Sequence, residues 1–329
     1  MDCALSLVRS GHSVSRTARL LRLSRPHLIQ RLKRSNTWKD RRLACNRPEK
    51  AESDSELVGN IQDALKEFPS FGYKRITAIV NRKRTQSNQE RVNRKRVYRI
   101  VKENDLLLKK APPIVSGHAY DHNGKVAVDE SNKRWCSDSF EFKCLNGEKV
   151  TMTFVMDCCD REVISFVAKK GRGLPAWMAQ EQVILAVNRR FGDVNRVPNS
   201  LQLLTDNGSA YTACQTKRLL KVLGIEDCKT AICSPQSNGM AESMVKTFKR
   251  DYLPYMGFTD AENALKMLPA MVEKYNTWHP HSALNYLSPN EFRAMKGLSS
   301  DVDAHIDAPV CLIPGFMVES NTAGAVAYA

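Results

Sequence analysis

Hydrophobic positions change their spacing about one third of the way along this 329-residue chain. In the first 110 residues, apolar side chains recur every three or four positions, as Leu28 and Leu32 do, and this period predicts helices. Further on, apolar, aromatic and β-branched residues alternate with polar ones over 135–144, 150–157 and 163–168, which predicts three strands. The chain is therefore expected to begin with helical units and to continue with a sheet.

The second part of the chain then switches between helical and extended patterns. We expect helices at 174–191, 212–223 and 239–255, and short strands at 201–205 and 227–231. Three adjacent strands followed by alternating helices and strands are typical of a mixed sheet with helices on its faces. The predicted fold class is α/β, with a mixed five-stranded sheet within 125–296 and small all-helical units before it.

Two short predicted helices within 1–46 are joined by a tight turn at Leu23-Ser24, and this arrangement favours a helix-turn-helix. The second helix would direct side chains outward that suit contact with DNA: Arg25, Gln30, Arg31 and Arg34. The alternative is a basic helical hairpin that only packs against other parts of the protein. A polar and charged stretch, 41–54, follows as a linker.

A second basic helical unit, also similar to a helix-turn-helix, is predicted over 56–108. Its candidate DNA contacts are Lys74, Arg75, Arg94, Arg96 and Arg99. The alternative is a solvated charged surface. An irregular stretch, 111–129, leads to the sheet, and the tail 297–329 contains no Lys or Arg. Residues 310–316 fit a strand, but a tail without regular structure is the alternative.

The excess of positive over negative charge is confined to the first third of the chain. The whole chain has a formal net charge of +15, yet residues 1–110 contain 27 Lys and Arg against 11 Asp and Glu, whereas the rest holds 23 against 24. Such a block is typical of a module that neutralises phosphates. A solubilising surface, the alternative, normally mixes both signs.

Composition also excludes several classes of protein. No run approaches the roughly 18 apolar residues that span a bilayer, and the N-terminus lacks the apolar block of a secretory signal. We therefore expect a cytoplasmic protein with no membrane contact. The ten cysteines are scattered without a C-x-x-C pair, so reduced, buried side chains are expected, and His118 and His122 carry only a weak zinc signal.

Three acidic residues sit where a mixed sheet brings distant segments together. Asp138 lies within the first strand, Asp206 directly follows a short apolar strand, and Glu242 falls in the first turn of a helix. Carboxylate oxygens are the ligands that Mg²⁺ or Mn²⁺ prefers. Two such ions suit phosphodiester chemistry, because they activate the attacking oxygen and stabilise the leaving one.

Each acid also has an ordinary structural interpretation. Asp206 begins a turn sequence, and Glu242 favours the helix macrodipole. Asp138 is harder to explain in this way, because strands are depleted in Asp. Asp157 and Asp160 compete for a place in the site, but their position at a strand end and turn favours a structural role.

Two lysines follow Glu242 on the same helical face, Lys246 four and Lys249 seven residues later. Cations beside metal-binding carboxylates suit the phosphate oxygens of bound DNA. The alternative for Lys246 is an intrahelical pair with Glu242.

The spacing and the surrounding sequence resemble a known family. Between Asp206 and Glu242 lie 35 residues, which resembles the D,D-35-E core of retroviral integrases and, most of all, the downstream-frame (OrfB) transposases of a large bacterial insertion-sequence family. The matching stretches are Arg134-Trp135-Cys136-Ser137-Asp138, Leu204-Thr205-Asp206-Asn207-Gly208-Ser209, Ser234-Pro235-Gln236-Ser237-Asn238-Gly239-Met240-Ala241-Glu242-Ser243 and His279-Pro280-His281-Ser282-Ala283-Leu284. Gly72-Tyr73-Lys74-Arg75-Ile76 resembles the helical unit ahead of that core.

The resemblance implies a ribonuclease-H-like fold in which Asp138, Asp206 and Glu242 are the catalytic, metal-binding residues. It also implies a DNA transposase: water or a DNA 3′-hydroxyl attacks a phosphodiester at an element end, and strand transfer joins that end to new DNA. Expected partners are DNA, further copies of the chain and an upstream-frame (OrfA) portion, in the bacterial nucleoid. The alternatives are an inactive DNA-binding regulator and a nuclease that cleaves without joining.

Overall fold

The computed structural model describes residues 2–33, 49–108, 128–229, 238–298 and 310–312. The chain divides into two compact units, residues 1–57 and 58–329. Arg34, most of the two linkers and most of the tail 297–329 lie outside the described residues, as do His118 and His122. The end of the predicted linker 41–54 is instead helical from Glu49 on.

The first unit contains three short helices. Helix α1 spans Asp2–Arg9, α2 spans Val14–Leu20 and α3 spans Arg25–Leu32. They pack around a small core of Ala4, Ala18 and Leu28. The predicted helices at α2 and α3 are confirmed, and α1 adds a helix that the sequence interpretation did not include. Pro26 falls in the first turn of α3, where its missing N–H costs no helical hydrogen bond.

Three further helices precede the sheet. Helix α4 spans Glu49–Glu67, α5 spans Tyr73–Gln86 and α6 spans Arg94–Glu103. The Asn93 side chain caps α6 by accepting a hydrogen bond from the backbone N–H of Lys95 at 2.9 Å. Helix α6 buries Val97, Ile100 and Val101, as the helical period predicts.

Six strands form one mixed sheet. They are β1 Arg134–Lys143, β2 Lys149–Asp157, β3 Val163–Lys170, β4 Leu201–Thr205, β5 Ile225–Lys229 and β6 Val310–Leu312. The strand order is β5-β4-β1-β2-β3-β6. Strands β1, β2 and β3 form an antiparallel meander, whereas β4 is parallel to β1 and β5 to β4. The five predicted strands are confirmed, and the short β6 from the tail pairs with β3.

Helices cover both faces of the sheet. They are α7 Ala176–Phe191, α8 Ser209–Thr212, α9 Cys214–Leu223, α10 Gly239–Asp251, α11 Leu253–Met256, α12 Ala261–Trp278 and α13 Pro289–Met295. The helix predicted over 239–255 is thus two helices, because α10 ends at Asp251 and Pro254 falls in the first turn of α11.

The two faces of the sheet have different cores. On one face, Phe140 and Phe154 of the sheet pack with Phe248 of α10 and Tyr275 of α12. The other face packs residues of the sheet such as Trp135 against α7 and α9. Alternate residues of β1 thus point to opposite faces, and this separation determines what surrounds each residue of the site.

Within the second unit, α5 is docked against the helices that follow the sheet. Arg75 Nη1 lies 2.9 Å from Asp251 Oδ2, and the Asp251 side chain is fully buried. Arg82 donates to the Trp278 carbonyl oxygen at 2.9 Å and pairs with Glu291 at 2.5 Å. Arg75 thus pairs with a buried carboxylate while 29% of its own side chain stays exposed, and its expected contact with DNA stays a prediction.

A buried ion network fixes the turn between β2 and β3. Asp160 Oδ2 pairs with Arg190 of α7 at 3.1 Å and with Arg293 of α13 at 3.0 Å. Asp157 accepts the backbone N–H groups of Asn132 and Cys159, each at 2.7 Å. These contacts agree with the structural role expected for Asp157 and Asp160.

Two other sequence-based expectations concern cysteines and membranes. The cysteines that the structure describes are all free thiols. Among the described residues, no helix combines the length and the apolar character needed to cross a bilayer.

The buried histidines predict an acid-sensitive second unit. Burial lowers the pKa of His281 to about 3 and that of His279 well below its usual range. Below about pH 6.5 the unfolded chain therefore binds protons that the folded protein does not, and the free energy of unfolding should fall as pH decreases, by about 1.4 kcal/mol per pH unit for each histidine.

Urea unfolding between pH 7 and pH 4 tests this effect. A His281→Gln variant should show a smaller loss of stability per pH unit than the unmodified protein, and His27→Gln, which changes an exposed histidine of α3, should not. Equal pH slopes in His281→Gln and the unmodified protein would contradict the prediction.

Candidate active site

The pairing of β1 with β4 brings two of the three predicted acids side by side. In this parallel pair Cys136 lies opposite Leu204. Asp138 and Asp206 each follow this last pair by two residues, so the pairing directs both acids towards the same part of the sheet, where adjacent strands are about 4.8 Å apart. Asp138 is partly buried near the middle of β1, whereas Asp206 lies exposed just beyond the end of β4.

A tight turn holds the Asp206 carboxylate. Asp206 Oδ1 accepts the backbone N–H of Gly208 at 3.0 Å. A Cβ atom at position 208 would lie 2.9 Å from the same oxygen, closer than real Cβ contacts. Glycine is therefore what lets the carboxylate fold back over its own turn, and the turn interpretation of Asp206 is compatible with a place in the site.

Glu242 is brought to the same edge by α10. The Asn238 side chain, at the N-terminus of this helix, donates to the Ser137 carbonyl oxygen at 3.1 Å. Helix α10 also packs against β1 through Ala241, Met244 and Phe248. Glu242 lies in the first helical turn, half-buried. The preceding residues, 230–237, lie outside the described part of the chain.

The charges of the three acids reach one another. The pKa of Asp138 is raised to about 6, mainly by burial and also by the negative charges of Asp206 and Glu242. Two effects oppose this rise: Ser139 donates its backbone N–H to Asp138 Oδ1 at 2.7 Å, and the Lys249 ammonium attracts the carboxylate. The three acids therefore form one electrostatic cluster.

The two lysines of α10 occupy different surroundings. Lys246 Nζ lies 3.9 Å from Glu242 Oε2, which is the intrahelical pair that its spacing predicts. Lys249 Nζ lies 5.8 Å from the centre of the Phe140 ring, above the face of β1 that carries Asp138. Both lysines are exposed, so their ammonium groups are accessible to an anion.

The acids offer only oxygen donors, which fit a hard divalent cation and not a soft one. Among the described residues, however, no group of three His, Cys, Asp or Glu side chains is close enough together to hold a metal ion. The excess of negative charge around the partly buried Asp138 is the observation that fits a cation. In the present arrangement the three side chains are electrostatic neighbours that have not converged.

Sequence reasoning missed a set of buried polar residues behind the acids. Ser137, Thr153, Gln182 and Tyr211 are at most 2% exposed and form hydrogen bonds with one another. Lys229, at the end of β5, donates to Thr205 and to the Tyr211 carbonyl oxygen. The available signal was weak: a Ser, a Thr and a Gln at positions where the pattern calls for core residues.

The predicted DNA contacts fall on several helices. Arg25, Gln30 and Arg31 are exposed on α3 of the first unit. In the second unit, Lys74 and Arg94 are exposed, Arg96 is partly exposed, and Arg99 pairs with Glu103 at 3.1 Å on the surface of α6. Arg34 lies outside the described residues, and Arg75 belongs to the buried contact with Asp251.

Comparison with protein families gives three matches. Two models, both described as "Integrase core domain", match residues 128–235 and 223–289. A third, "HTH-like domain", matches residues 52–112. The integrase matches together cover strands β1 to β5 and all three acids, and the third covers most of α4 and all of α5 and α6.

Curated relatives extend the similarity to almost the whole chain. The transposase InsD for insertion element IS2A/D/F/H/I/K from Escherichia coli is 43% identical over 305 residues, which are 92% of this chain and 98% of that protein. The transposase InsD for insertion element IS2-9, from Escherichia coli strain K12, is also 43% identical, over 92% of this chain and 96% of its own length.

Solved structures give more distant matches. The catalytic core domain of BIV integrase is 19% identical over 50% of this chain and 96% of that one, with a TM-score of 0.36. The catalytic domain of Mos1 mariner transposase is 21% identical over 42% of this chain and 67% of that one, with a TM-score of 0.33.

The electrostatic cluster predicts a measurable titration in the metal-free protein. The Asp138 carboxyl should titrate with a pKa of about 6. Asp206→Asn and Glu242→Gln should each lower that pKa, because each removes a neighbouring negative charge, and Lys249→Met should raise it. Carbon-13 NMR of the aspartate carboxyls provides the measurement, and Asp193→Asn, an exchange at an exposed acid that is not among the main charges acting on Asp138, is the control. An unchanged Asp138 pKa in both acid variants would show that the acids are not neighbours.

Proposed function

This chain belongs to the family of insertion-element transposases with an integrase core, and we propose that Asp138, Asp206 and Glu242 are its catalytic, metal-binding carboxylates. The protein is a DNA transposase, a polynucleotidyl transferase with a ribonuclease-H-like core. The observation that supports the three residues is their shared electrostatic cluster, in which two like charges act on a partly buried third.

The donor set is consistent with Mg²⁺ or Mn²⁺, and two ions fit the chemistry of phosphodiesters. When bound, the cations supply Lewis-acid activation of the attacking oxygen and stabilisation of the leaving oxygen. Asp138 contributes a carboxylate anchored to the rigid sheet, Asp206 one that is oriented by the N–H of Gly208, and Glu242 one that α10 carries. Lys246 and Lys249 then suit the phosphate oxygens on either side of the reacting one.

The proposed reaction has two steps. In the first, a water oxygen attacks a phosphorus at the end of the mobile element, the bond to the 3′-oxygen breaks, and a free 3′-hydroxyl results. In the second, this hydroxyl attacks a phosphorus of target DNA, which forms a new ester bond and releases a target 3′-hydroxyl. Both steps exchange one phosphodiester P–O bond for another P–O bond, so positioning and charge neutralisation are the main requirements.

DNA contacts are proposed along the basic N-terminal third of the chain. We assign residues 1–46 and 56–108 as two DNA-binding units, 125–296 as the catalytic core and 297–329 as a tail of unassigned role. The charge imbalance of 27 basic against 11 acidic residues in 1–110 supports this division. Arg25, Gln30, Arg31 and Arg34 belong to the first unit, and Lys74, Arg94, Arg96 and Arg99 to the second.

The transposition reaction brings two element ends and a target together, so we propose that several copies of the chain act on one DNA complex in the nucleoid. An upstream-frame partner or fusion would supply further DNA binding and multimerisation. Copurification of the chain with such a partner, or its activity alone, distinguishes the two cases.

Replacement of any one of the three carboxylates should abolish cleavage and strand transfer but leave DNA binding intact. Asp138→Asn, Asp206→Asn and Glu242→Gln are each expected to lower cleavage and strand transfer by at least a thousandfold, because each removes a metal-binding charge but keeps the shape. The assay incubates the chain with element-end DNA and Mg²⁺ and scores nicked and joined products separately, with DNA binding measured in parallel.

Asp157→Asn is the contrasting variant in that assay, because Asp157 holds backbone groups of a turn and its loss should reduce stability first. Full activity in any of the three carboxylate variants would remove that residue from the site. Nicks without joined products in the unmodified protein would indicate a nuclease, and binding without either product a regulator.

The basic residues of α6 should contribute to DNA binding by contacting phosphates of the DNA backbone. Arg94→Gln and Arg96→Gln are expected to weaken DNA binding regardless of sequence and to reduce the slope of log affinity against log salt by about 1 each. Arg75→Gln should instead lower the thermal midpoint, because it leaves the Asp251 carboxylate buried with one partner fewer. If Arg94→Gln and Arg96→Gln leave the salt dependence unchanged, α6 does not contact DNA.

A further inference from the structure

Four buried polar side chains form a closed ring of hydrogen bonds behind the proposed site. Thr153 Oγ1 donates to Gln182 Oε1 at 2.7 Å, and Gln182 Nε2 donates to Ser137 Oγ at 2.9 Å. The Ser137 and Tyr211 hydroxyl oxygens are 2.7 Å apart, and Tyr211 Oη lies 3.1 Å from Thr153 Oγ1. Since a hydroxyl has one proton, the ring closes with each group donating once and accepting once.

The ring is attached to the strand that carries Asp138. Ser137 precedes Asp138 in β1, and Thr153 of β2 is paired with Ser139 on its other side. Thr153 Oγ1 also lies 3.1 Å from the Asp138 carbonyl oxygen. Because neighbouring residues of a strand point to opposite faces, the ring lies on the face of β1 opposite to the Asp138 carboxylate, and Ser137 attaches it to that strand.

The same ring is attached to the turn that carries Asp206. Tyr211 donates its backbone N–H to the Gly208 carbonyl oxygen at 3.0 Å, and Gly208 in turn donates its N–H to Asp206 Oδ1. Lys229 Nζ donates to the Tyr211 carbonyl oxygen at 3.1 Å and to Thr205 Oγ1 at 2.7 Å. The chain on both sides of Asp206 is therefore tied to Tyr211.

Ser137 also connects the ring to the third acid. Its carbonyl oxygen accepts from Asn238, the residue from which the helix of Glu242 begins. Ser137 thus bonds through its side chain to Tyr211, near Asp206, and through its carbonyl oxygen to Asn238, near Glu242. Its next residue in the chain is Asp138. The three chain segments meet at Ser137, and Tyr211 is the group that joins the Asp206 turn to it.

We propose that Tyr211 is a positioning residue, whose hydroxyl sets the separation of Asp138 and Asp206 and thereby the affinity of the site for a divalent cation. This inference rests on the proposed function of the three carboxylates. Burial raises the pKa of Tyr211 to about 12, so the hydroxyl keeps its proton at neutral pH and completes the ring. Residues that orient metal ligands in this way commonly change metal affinity by about 10- to 100-fold when they are replaced.

Tyr211→Phe tests the proposal, because it removes one oxygen and opens the ring. Mn²⁺ affinity of the full chain without DNA, measured from the EPR signal of free Mn²⁺, should fall about tenfold. Tyr252→Phe is the matched control: its hydroxyl is also buried and hydrogen-bonded, to His279 Nδ1 at 3.0 Å, but it lies at the far end of α10. It should lower the thermal midpoint and leave Mn²⁺ affinity unchanged.

A purely structural ring gives a different result. In that case Tyr211→Phe and Tyr252→Phe would both lower the thermal midpoint and both keep the Mn²⁺ affinity, and the proposal would be wrong. Asp138→Asn and Asp206→Asn in the same titration separate the two levels of the argument. If Asp138→Asn and Asp206→Asn keep the Mn²⁺ affinity, the carboxylates do not bind metal. If these two variants lose Mn²⁺ affinity and Tyr211→Phe keeps it, only the positioning role of Tyr211 is wrong.

A double-mutant cycle keeps the test decisive if Tyr211→Phe perturbs folding. Ser137→Ala removes the opposite end of the 2.7 Å contact and should weaken Mn²⁺ binding on its own. Combined with Tyr211→Phe it should add little, because one bond is lost in either case. Unchanged Mn²⁺ affinity in Ser137→Ala, or independent additive losses in the double variant, would overturn the proposed coupling.

Discussion

The three carboxylates that we propose as metal ligands lie within electrostatic reach of one another although their charges repel, and the structure around them has to accommodate that repulsion. The parallel pairing of β4 with β1 directs Asp138 and Asp206 towards the same part of the sheet, and α10, which packs on β1, carries Glu242. The repulsion is visible in the raised pKa of Asp138. Backbone N–H groups hold two of the acids, Ser139 donating to Asp138 and Gly208 to Asp206, and the Asn238 amide ties the helix of Glu242 to Ser137.

Regular structure and the acids were accessible from the sequence, whereas their supports were not. Alternation along β1, β2 and β3 predicts strands because each strand has to present apolar residues to a core, a local requirement. The 35-residue spacing between Asp206 and Glu242 indicates the site through resemblance to a family. The roles of Tyr211 and Gln182 were not predicted, because both residues form hydrogen bonds with Ser137. Ser137 is 74 and 45 residues away from them in sequence and becomes their neighbour only in the folded protein.

The arginines illustrate the same limit. Lys74 and Arg75 are adjacent in sequence and equally basic, but Lys74 is exposed and Arg75 reaches a buried carboxylate 176 residues later. Arg190 and Arg293 likewise serve the buried Asp160. Burying such groups is costly unless both charges are satisfied, so these pairs define one geometry for the turns and helices that they join. Net charge locates a basic segment, but it does not identify which of its cations face outward.

The contact of α5 with the end of the catalytic core has a consequence for the position at which DNA is cleaved. Arg82 is bound to Trp278 and Glu291, and Asn81 of the same helix holds Val92, just before α6, through two hydrogen bonds. Helix α5 therefore links α6 to the helices that follow the sheet. If a DNA duplex binds along α6, the contact of α5 with Trp278 and Glu291 would set the distance between the bound DNA segment and the proposed carboxylates. That contact would then determine how many base pairs separate the bound segment from the cleaved phosphodiester.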